Sequence, residues 1–304
     1  MKKEAGKKSR VRKTVTLIVI IACVCVIAFA LYKLISTEME YQTARAQYDD
    51  LRKYTHTAGT QEQGASGGST ESTSGSQGQG SASGSTSGSI QGGSAEDPSQ
   101  PSGGGQASLE KHTAPITVDF AGLKAINPDV VGWIYVPYLE ISYPIVQGED
   151  DDYYLHRTYE GTVNFAGSIF MESLNSPDFQ DCNTILYGHN MKDLSMFGKL
   201  KLLMQDENYR NCTEFWVLTP EEDYCFQIFN IEYTSAYGDL YTLFSEPGQE
   251  FTEYLERRKA HSAVNMGDFV FDEDSRIVTL STCTTGRDDG RFVVQGLRSA
   301  AEGR

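Results

Sequence analysis

The chain has 304 residues, 26 Lys/Arg against 41 Asp/Glu, and a formal net charge of −15. The charge is unevenly spread: residues 1–55 carry +6, residues 56–113 carry −4, and residues 114–304 carry −17. So acidic a C-terminal part argues against nucleic acid as its partner and suits a soluble domain outside the cell. Residues 114–304 are enough for one domain with a real core.

Seven basic residues, from Lys2 to Lys13, precede an uncharged run from Thr14 to Tyr32. As a helix the run from Val15 to Tyr32 is roughly 27 Å long, close to the hydrocarbon thickness of a bilayer. Residues 14–35 are therefore expected to be a single transmembrane helix. Residues 1–13 would lie in the cytoplasm and everything after the span outside, because the basic cluster stays inside. Ala28-Phe29-Ala30 also has the small-x-small form of a cleavable leader. The apolar run continues past it, which favours a retained anchor. Residues 36–55 place Tyr41, Ala44, Tyr48 and Leu51 at alternating three- and four-residue spacing. That is one stripe of a membrane-proximal helix, fit to pack on the domain, to self-associate or simply to rise from the membrane.

From residue 56 to residue 113 the composition collapses to Gly, Ser, Thr and Gln. Such a segment buries too little apolar surface to offset its ordering entropy and is expected to be a flexible linker. Random-coil scaling gives it an end-to-end distance of about 40–45 Å, and full extension roughly 190 Å.

The domain is expected at residues 114–304. A short helix is predicted over Asp119–Ile126 and strands over Val131–Val136 and Ile141–Val146, where Pro144 suggests an edge or a bulge. Further strands are predicted over Gly167–Met171, Asn183–His189, Glu214–Thr219 and Tyr224–Tyr233, with a helix over Leu194–Met204 between the second and third of these. Phe251, Tyr254 and Leu255 mark a helix over Gly248–His261. The stretch Ile277–Leu297 (IVTLSTCTTGRDDGRFVVQGL) reads as two strands around a polar turn. About eight short strands with few helices indicate a mostly β fold, a largely antiparallel closed eight-stranded barrel.

Four cysteines lie outside the apolar run. With no CxxC or Cys/His cluster, neither a metal site nor a cofactor is expected. Glu149-Asp150-Asp151-Asp152 lacks the ligand spacing of a calcium loop. Cys182, Cys212 and Cys225 sit in or beside strands and are most simply small buried residues, with a disulfide among them left open. Cys283 differs. It ends a strand, and pairing of the hairpin around 284–290 sets Arg291 opposite it. His189 ends an earlier strand. A thiol, an imidazole and a guanidinium are the parts acyl transfer needs: Cys283 as nucleophile, His189 as proton carrier, and Arg291, always charged, as the donor that stabilises a developing oxyanion or fixes the substrate's backbone carbonyl. Asp288 and Asp289 read as solvated turn residues rather than as a third member of a triad.

Thr279-Leu280-Ser281-Thr282-Cys283 resembles the TLxTC signature of sortases, the transpeptidases that attach surface proteins to Gram-positive cell walls. Tyr187-Gly188-His189-Asn190 and Gly290-Arg291-Phe292-Val293-Val294 resemble that family's histidine and arginine segments. Ser281, Val131-Gly132-Trp133-Ile134, Tyr143–Gly148, Ala166–Phe170 and the helix at 248–261 are similar to class B sortases in particular. The resemblance implies a sortase-like barrel in which Cys283, His189 and Arg291 are catalytic. Ser281, Thr282, Thr284 and Asn190 would border the substrate, with the Thr284 N–H as a second oxyanion donor. It further implies partners: secreted proteins with a C-terminal sorting motif, and a peptidoglycan precursor or cross-bridge amine as acceptor. A pilus-polymerising sortase with a protein lysine as acceptor, or a cysteine protease that only hydrolyses, are the alternatives.

Overall fold

The computed structural model describes residues 2–58 and 113–299, apart from 206, 245, 285 and 287. The greater part of the segment 56–113 and the C-terminal residues 300–304 thus lie outside the described residues.

Helix α1, Lys2–Asp50, is continuous through the apolar run and the segment after it. Its apolar side chains from Leu17 to Ile35 are exposed, and none of this window is buried in the protein. It is the one described helix long and apolar enough to cross a membrane. Beyond it, the stripe predicted at Tyr41, Ala44, Tyr48 and Leu51 meets the domain. Tyr41 packs edge-on against Phe165 at 4.5 Å between ring centroids, and Ala44 and Leu51 are buried. The Tyr48 hydroxyl donates to the Gly167 carbonyl at 2.7 Å, and Arg45 pairs with Asp193 at 2.9 Å. Of the three outcomes the sequence left open, the stripe takes the first and docks.

A short 3-10 turn, Leu51–Tyr54, leads into strand β1, Thr55–Thr57, which pairs antiparallel with β2, Ile116–Val118. The Ala58 N–H donates to the Pro115 carbonyl at 3.0 Å, and the Asp119 N–H to that of Tyr54 at 2.8 Å. The two flanks of the Gly/Ser-rich segment are thereby held side by side. Its contour length does not separate the apolar run from the domain; the part of α1 between them does, with about 14 Å of rise between Tyr32 and Tyr41 at 1.5 Å per residue.

Helix α2, Phe120–Ile126, is capped by Asp119, whose carboxylate accepts from the Gly122 N–H at 2.9 Å. Eight strands then close a barrel: β3 (Val130–Val136), β4 (Ile141–Val146), β5 (Ile169–Met171), β6 (Asn183–Tyr187), β7 (Glu214–Leu218), β8 (Asp223–Ser235), β9 (Ile277–Cys283) and β10 (Gly290–Arg298). The order around the barrel is β10-β8-β7-β3-β4-β5-β6-β9. Six of the eight pairings are antiparallel, as expected, and two are parallel, β4 with β5 and β6 with β9. Pro144 pairs on one side with Trp133, while β5 reaches only Ile145 and Val146 on the other, so its missing N–H falls where no partner strand lies.

Alternation along each strand fills the barrel with Ile134, Ile145, Leu186, Val217, Val278 and Val294, all buried. Helix α3, Gln249–His261, packs outside through Phe251, Tyr254 and Leu255 against Phe229 and Ile277. The helix predicted over 194–204 is only a 3-10 turn at Leu200–Met204. Before it, Leu194 and Met196 hold positive φ, and the Asp193 carboxylate accepts from the Ser195 N–H and hydroxyl. This irregular path lets Met191, Met196 and Phe197 all bury, which one helical face does not allow.

Replacing residues 60–110 by a four-residue Gly/Ser turn should leave the thermal midpoint of the folded domain within about 2 °C of the parent, because β1 and β2 already close that gap. A loss of several degrees in a calorimetric scan would show that the segment contributes to the fold.

Candidate active site

The site is assembled by two pairings of β9. On one side β6 runs parallel to it with Tyr187 level with Ser281, and the Gly188 N–H donates to the Ser281 carbonyl at 3.1 Å. β6 ends at Tyr187, and His189, two residues further on, lines the same cavity as Cys283. On the other side β10 is antiparallel, and Arg291 is the register partner of Cys283, as the hairpin predicted. Cys283 thus has Arg291 as its register partner on one neighbour strand, while the chain leaving the other neighbour carries His189 into the same cavity.

Gly188 makes the approach possible. A Cβ there would come within 2.5 Å of Ile169 Cδ1 and 2.7 Å of the Phe197 ring, so any side chain would push the strand end that carries His189 away. Asn190 ties the two strand ends together: its Nδ2 donates to the Cys283 carbonyl at 2.9 Å, and its Oδ1 accepts from Lys201 Nζ at 3.0 Å.

His189, Cys283 and Arg291 all line one cavity of about 330 Å³, shared with Ser281, Tyr187 and Tyr241. The six Cys are free thiols. Burial pushes the Cys212 and Cys225 thiols up to about 12, with Glu214 adding to it, and raises that of Cys182. Cys283 is exposed at the cavity, where β9 leaves the protein interior. His189 Nε2 lies 2.8 Å from the Leu155 carbonyl, an acceptor only, so in this arrangement Nε2 carries the hydrogen and Nδ1 keeps its lone pair. Burial lowers the pKa of His189; the Leu155 carbonyl partly opposes this, and His156, stacked at 6.2 Å between centroids, adds to it. Arg291 Nη1 donates to the carbonyls of Gly290 at 2.9 Å and Asp288 at 3.2 Å, which holds the guanidinium over the β9–β10 turn.

The remaining residues named from the sequence are placed unevenly. Ser281 is buried, and its hydroxyl shares a 2.7 Å hydrogen bond with that of Tyr241. Thr282 also borders the cavity, but its hydroxyl is buried. The N–H of Thr284, expected as an oxyanion donor, is donated to the Gly290 carbonyl at 3.0 Å in this structure, because it closes the β9–β10 hairpin. The Asp289 carboxylate accepts from the Ser235 hydroxyl at 3.2 Å.

The sequence reading missed Tyr241, Leu155 and Asp151 as cavity lining. Tyr241 sits in a 3-10 turn, Asp239–Tyr241, between β8 and α3, in a stretch with no periodic signal. Tyr187 donates to Glu172 Oε2 at 2.7 Å, and burial, with Asp151 alongside, holds the Glu172 carboxyl above its usual range.

A family model described as "Sortase domain" matches residues 134–299. Sortase B of Listeria monocytogenes is 40% identical over 177 residues, which is 57% of this chain and 71% of that protein. Sortase B of Staphylococcus aureus is 32% identical over 178 residues, 59% of this chain and 72% of that one. Among solved structures, sortase B from B. anthracis in complex with AAEK1 superposes with a TM-score of 0.54 at 39% identity, covering 59% of this chain and 83% of that one. The chain belongs to the sortase family and is most similar to its class B members.

Proposed function

We propose that the chain is a membrane-anchored cysteine transpeptidase that cleaves a C-terminal sorting motif of secreted proteins and transfers the new acyl end to a peptidoglycan amine. The observation that carries this reading is the convergence of Cys283, His189 and Arg291 on one open cavity from β9, the segment that follows β6, and β10. Family membership supports the reaction class, and the exposed apolar stretch of α1 supports the anchor. The basic residues before that stretch favour a cytoplasmic N-terminus with the barrel outside.

The chemistry follows from the groups present. With its pKa lowered, His189 is neutral at pH 7, and Nδ1 can accept the Cys283 proton as the sulfur attacks the scissile carbonyl carbon. The carbonyl oxygen becomes an oxyanion, which Arg291 stabilises as a permanent cation. The imidazolium gives its proton to the leaving amine, the C–N bond breaks, and a thioacyl-enzyme remains. An incoming amine then attacks that carbon, loses a proton to His189 and displaces the thiolate, which recovers the proton. Asn190 keeps the two strand ends in register through these steps, and Ser281 borders the bound peptide.

The test is to incubate the full chain, or the chain from residue 36 onwards, with sorting-motif peptides and amine acceptors and to weigh the products. Transfer to the amine should exceed hydrolysis, and rising amine should divert product from the free acid. Cys283→Ala should abolish both, and Arg291→Ala should lower kcat by roughly 100-fold or more. Product that remains free acid at any amine concentration would mark a hydrolase, and full turnover by Cys283→Ala would rule out this site.

The lowered His189 pKa also predicts a pH effect on stability. Between that value and the ordinary 6.5 the unfolded chain binds more protons than the folded one, so stability is lost as pH falls through this window. Urea midpoints should drop less between pH 7.5 and pH 5 in His189→Gln than in the parent chain. Equal drops would show that this imidazole does not drive the acid limb.

A further inference from the structure

Tyr241, the last residue of the 3-10 turn Asp239–Tyr241, lines the same cavity as Cys283, and the turn is tied to the buried layer behind it. Arg258, on the inner face of α3 and almost fully buried, bridges two carboxylates: its Nη1 lies 3.2 Å from Glu232 Oε1 on β8 and 3.2 Å from Asp239 Oδ1 at the head of the turn. Its Nη2 lies 3.4 Å from Asp239 Oδ2. The Leu240 side chain is buried, and its carbonyl accepts from the Tyr254 hydroxyl at 2.9 Å. The Thr242 carbonyl accepts from Asn183 Nδ2 at 3.2 Å. On the cavity side Tyr241 stacks on Tyr187 at 6.3 Å between centroids and meets the Ser281 hydroxyl at 2.7 Å.

Two features set this arrangement apart from ordinary surface pairing. The turn is not paired with a strand, so its place is set by side chains reaching from α3, β6 and β9. And Arg258, the cation paired with Asp239, is buried beside a second, buried carboxylate, so it cannot swing outwards without leaving Glu232 without its cation in the interior. An aromatic ring on a freely moving turn would have to be ordered each time a peptide bound; a ring held in place beforehand removes that cost from the binding step.

We propose that Asp239 and Arg258 are positioning residues for peptide binding: they hold the Asp239–Tyr241 turn against α3 and β8 and so fix Tyr241 against Ser281 as one wall of the cleft. This rests on the reading of the cavity as the peptide cleft. Neither residue touches the reacting atoms; both act through Tyr241.

Asp239→Asn is the informative variant. Its side chain is half exposed and the Arg258–Glu232 pair survives, so the fold is kept, whereas Arg258→Met strands a buried carboxylate. In the full chain, Asp239→Asn should raise KM for a sorting-motif peptide roughly three- to tenfold with kcat within about twofold of the parent. The rate of Cys283 alkylation by iodoacetamide should not change, and Asp239→Glu should recover part of the loss. Tyr241→Phe should raise KM similarly. The double variant should be no worse than the poorer single one, because both changes remove the same placement of one ring. Amide hydrogen exchange provides the readout that needs no substrate: Asp239→Asn should speed exchange at residues 239–242 while β9 stays protected. Unchanged exchange at 239–242 would overturn the proposal whether or not the chain is a transpeptidase. Faster exchange with an unchanged KM, or additive effects in the double variant, would overturn the link to peptide binding while leaving the catalytic reading intact.

Discussion

The parallel pairing of β6 with β9 is the constraint on which the site depends. Parallel strands advance together, so a single register, Tyr187 level with Ser281, fixes where both chains stand when they leave the sheet. Both leave within two residues of that point, one carrying His189 and the other Cys283. A one-residue slip would send every side chain of β6 to the opposite face and return the imidazole to the barrel interior. Three features resist such a slip. Gly188 is packed too closely against Ile169 and Phe197 to accept another residue, its N–H is bonded to the Ser281 carbonyl, and Asn190 fastens the Cys283 carbonyl from the other side.

Behind the strand, the register is backed by polar contacts rather than by oil alone. Thr279 donates to Asn183 Oδ1 at 2.7 Å across the β6–β9 pair and accepts from Gln295 Nε2 at 2.9 Å across the β9–β10 pair. Gln295 also donates to the Tyr254 hydroxyl at 3.0 Å, which reaches α3. Four buried polar side chains thus satisfy one another, and only one alignment of the three strands and the helix does so. Leu and Val at these positions would bury as well and tolerate several alignments; the hydrogen-bonded set tolerates one. The face of β9 that ends in Cys283 is the face that carries Thr279 and Ser281, so the same side chains that pin the register run straight to the nucleophile.

Much of this was legible in the residues, and the parts that were not share a cause. Alternation gave the β9–β10 hairpin and the Arg291–Cys283 pairing, because a hairpin is local and its register follows from where the turn lies. The stripe at Tyr41, Ala44, Tyr48 and Leu51 identified the docking face of α1, though not what it docks on. The partner of β6 was not legible: β6 and β9 are separated by some 90 residues, and their parallel neighbourhood is set by closure of the whole barrel. Tyr241 escaped for a related reason. A 3-10 turn held by side chains from three distant elements has no periodicity of its own to read. The helix expected over 194–204 failed because Leu, Met and Phe there spread over several directions into the core, where burial outweighs helical propensity.

Burial also decides which thiol is available for chemistry. A thiolate is the reactive form of cysteine, and forming one inside apolar surroundings is costly. Cys182, Cys212 and Cys225 lie in the protein interior with raised pKa values, the latter two beside Glu214, whose charge disfavours a second anion. Cys23 and Cys25 sit on the apolar stretch of α1, away from any described cation or imidazole. Cys283 occupies the position where β9 passes from six consecutive buried residues to an exposed one, with Arg291 as its register partner and His189 lining the same cavity. The strand that supplies the core through Val278 and Leu280 is the same strand that delivers the thiol to the surface, so the sulfur inherits its position from the most constrained part of the fold.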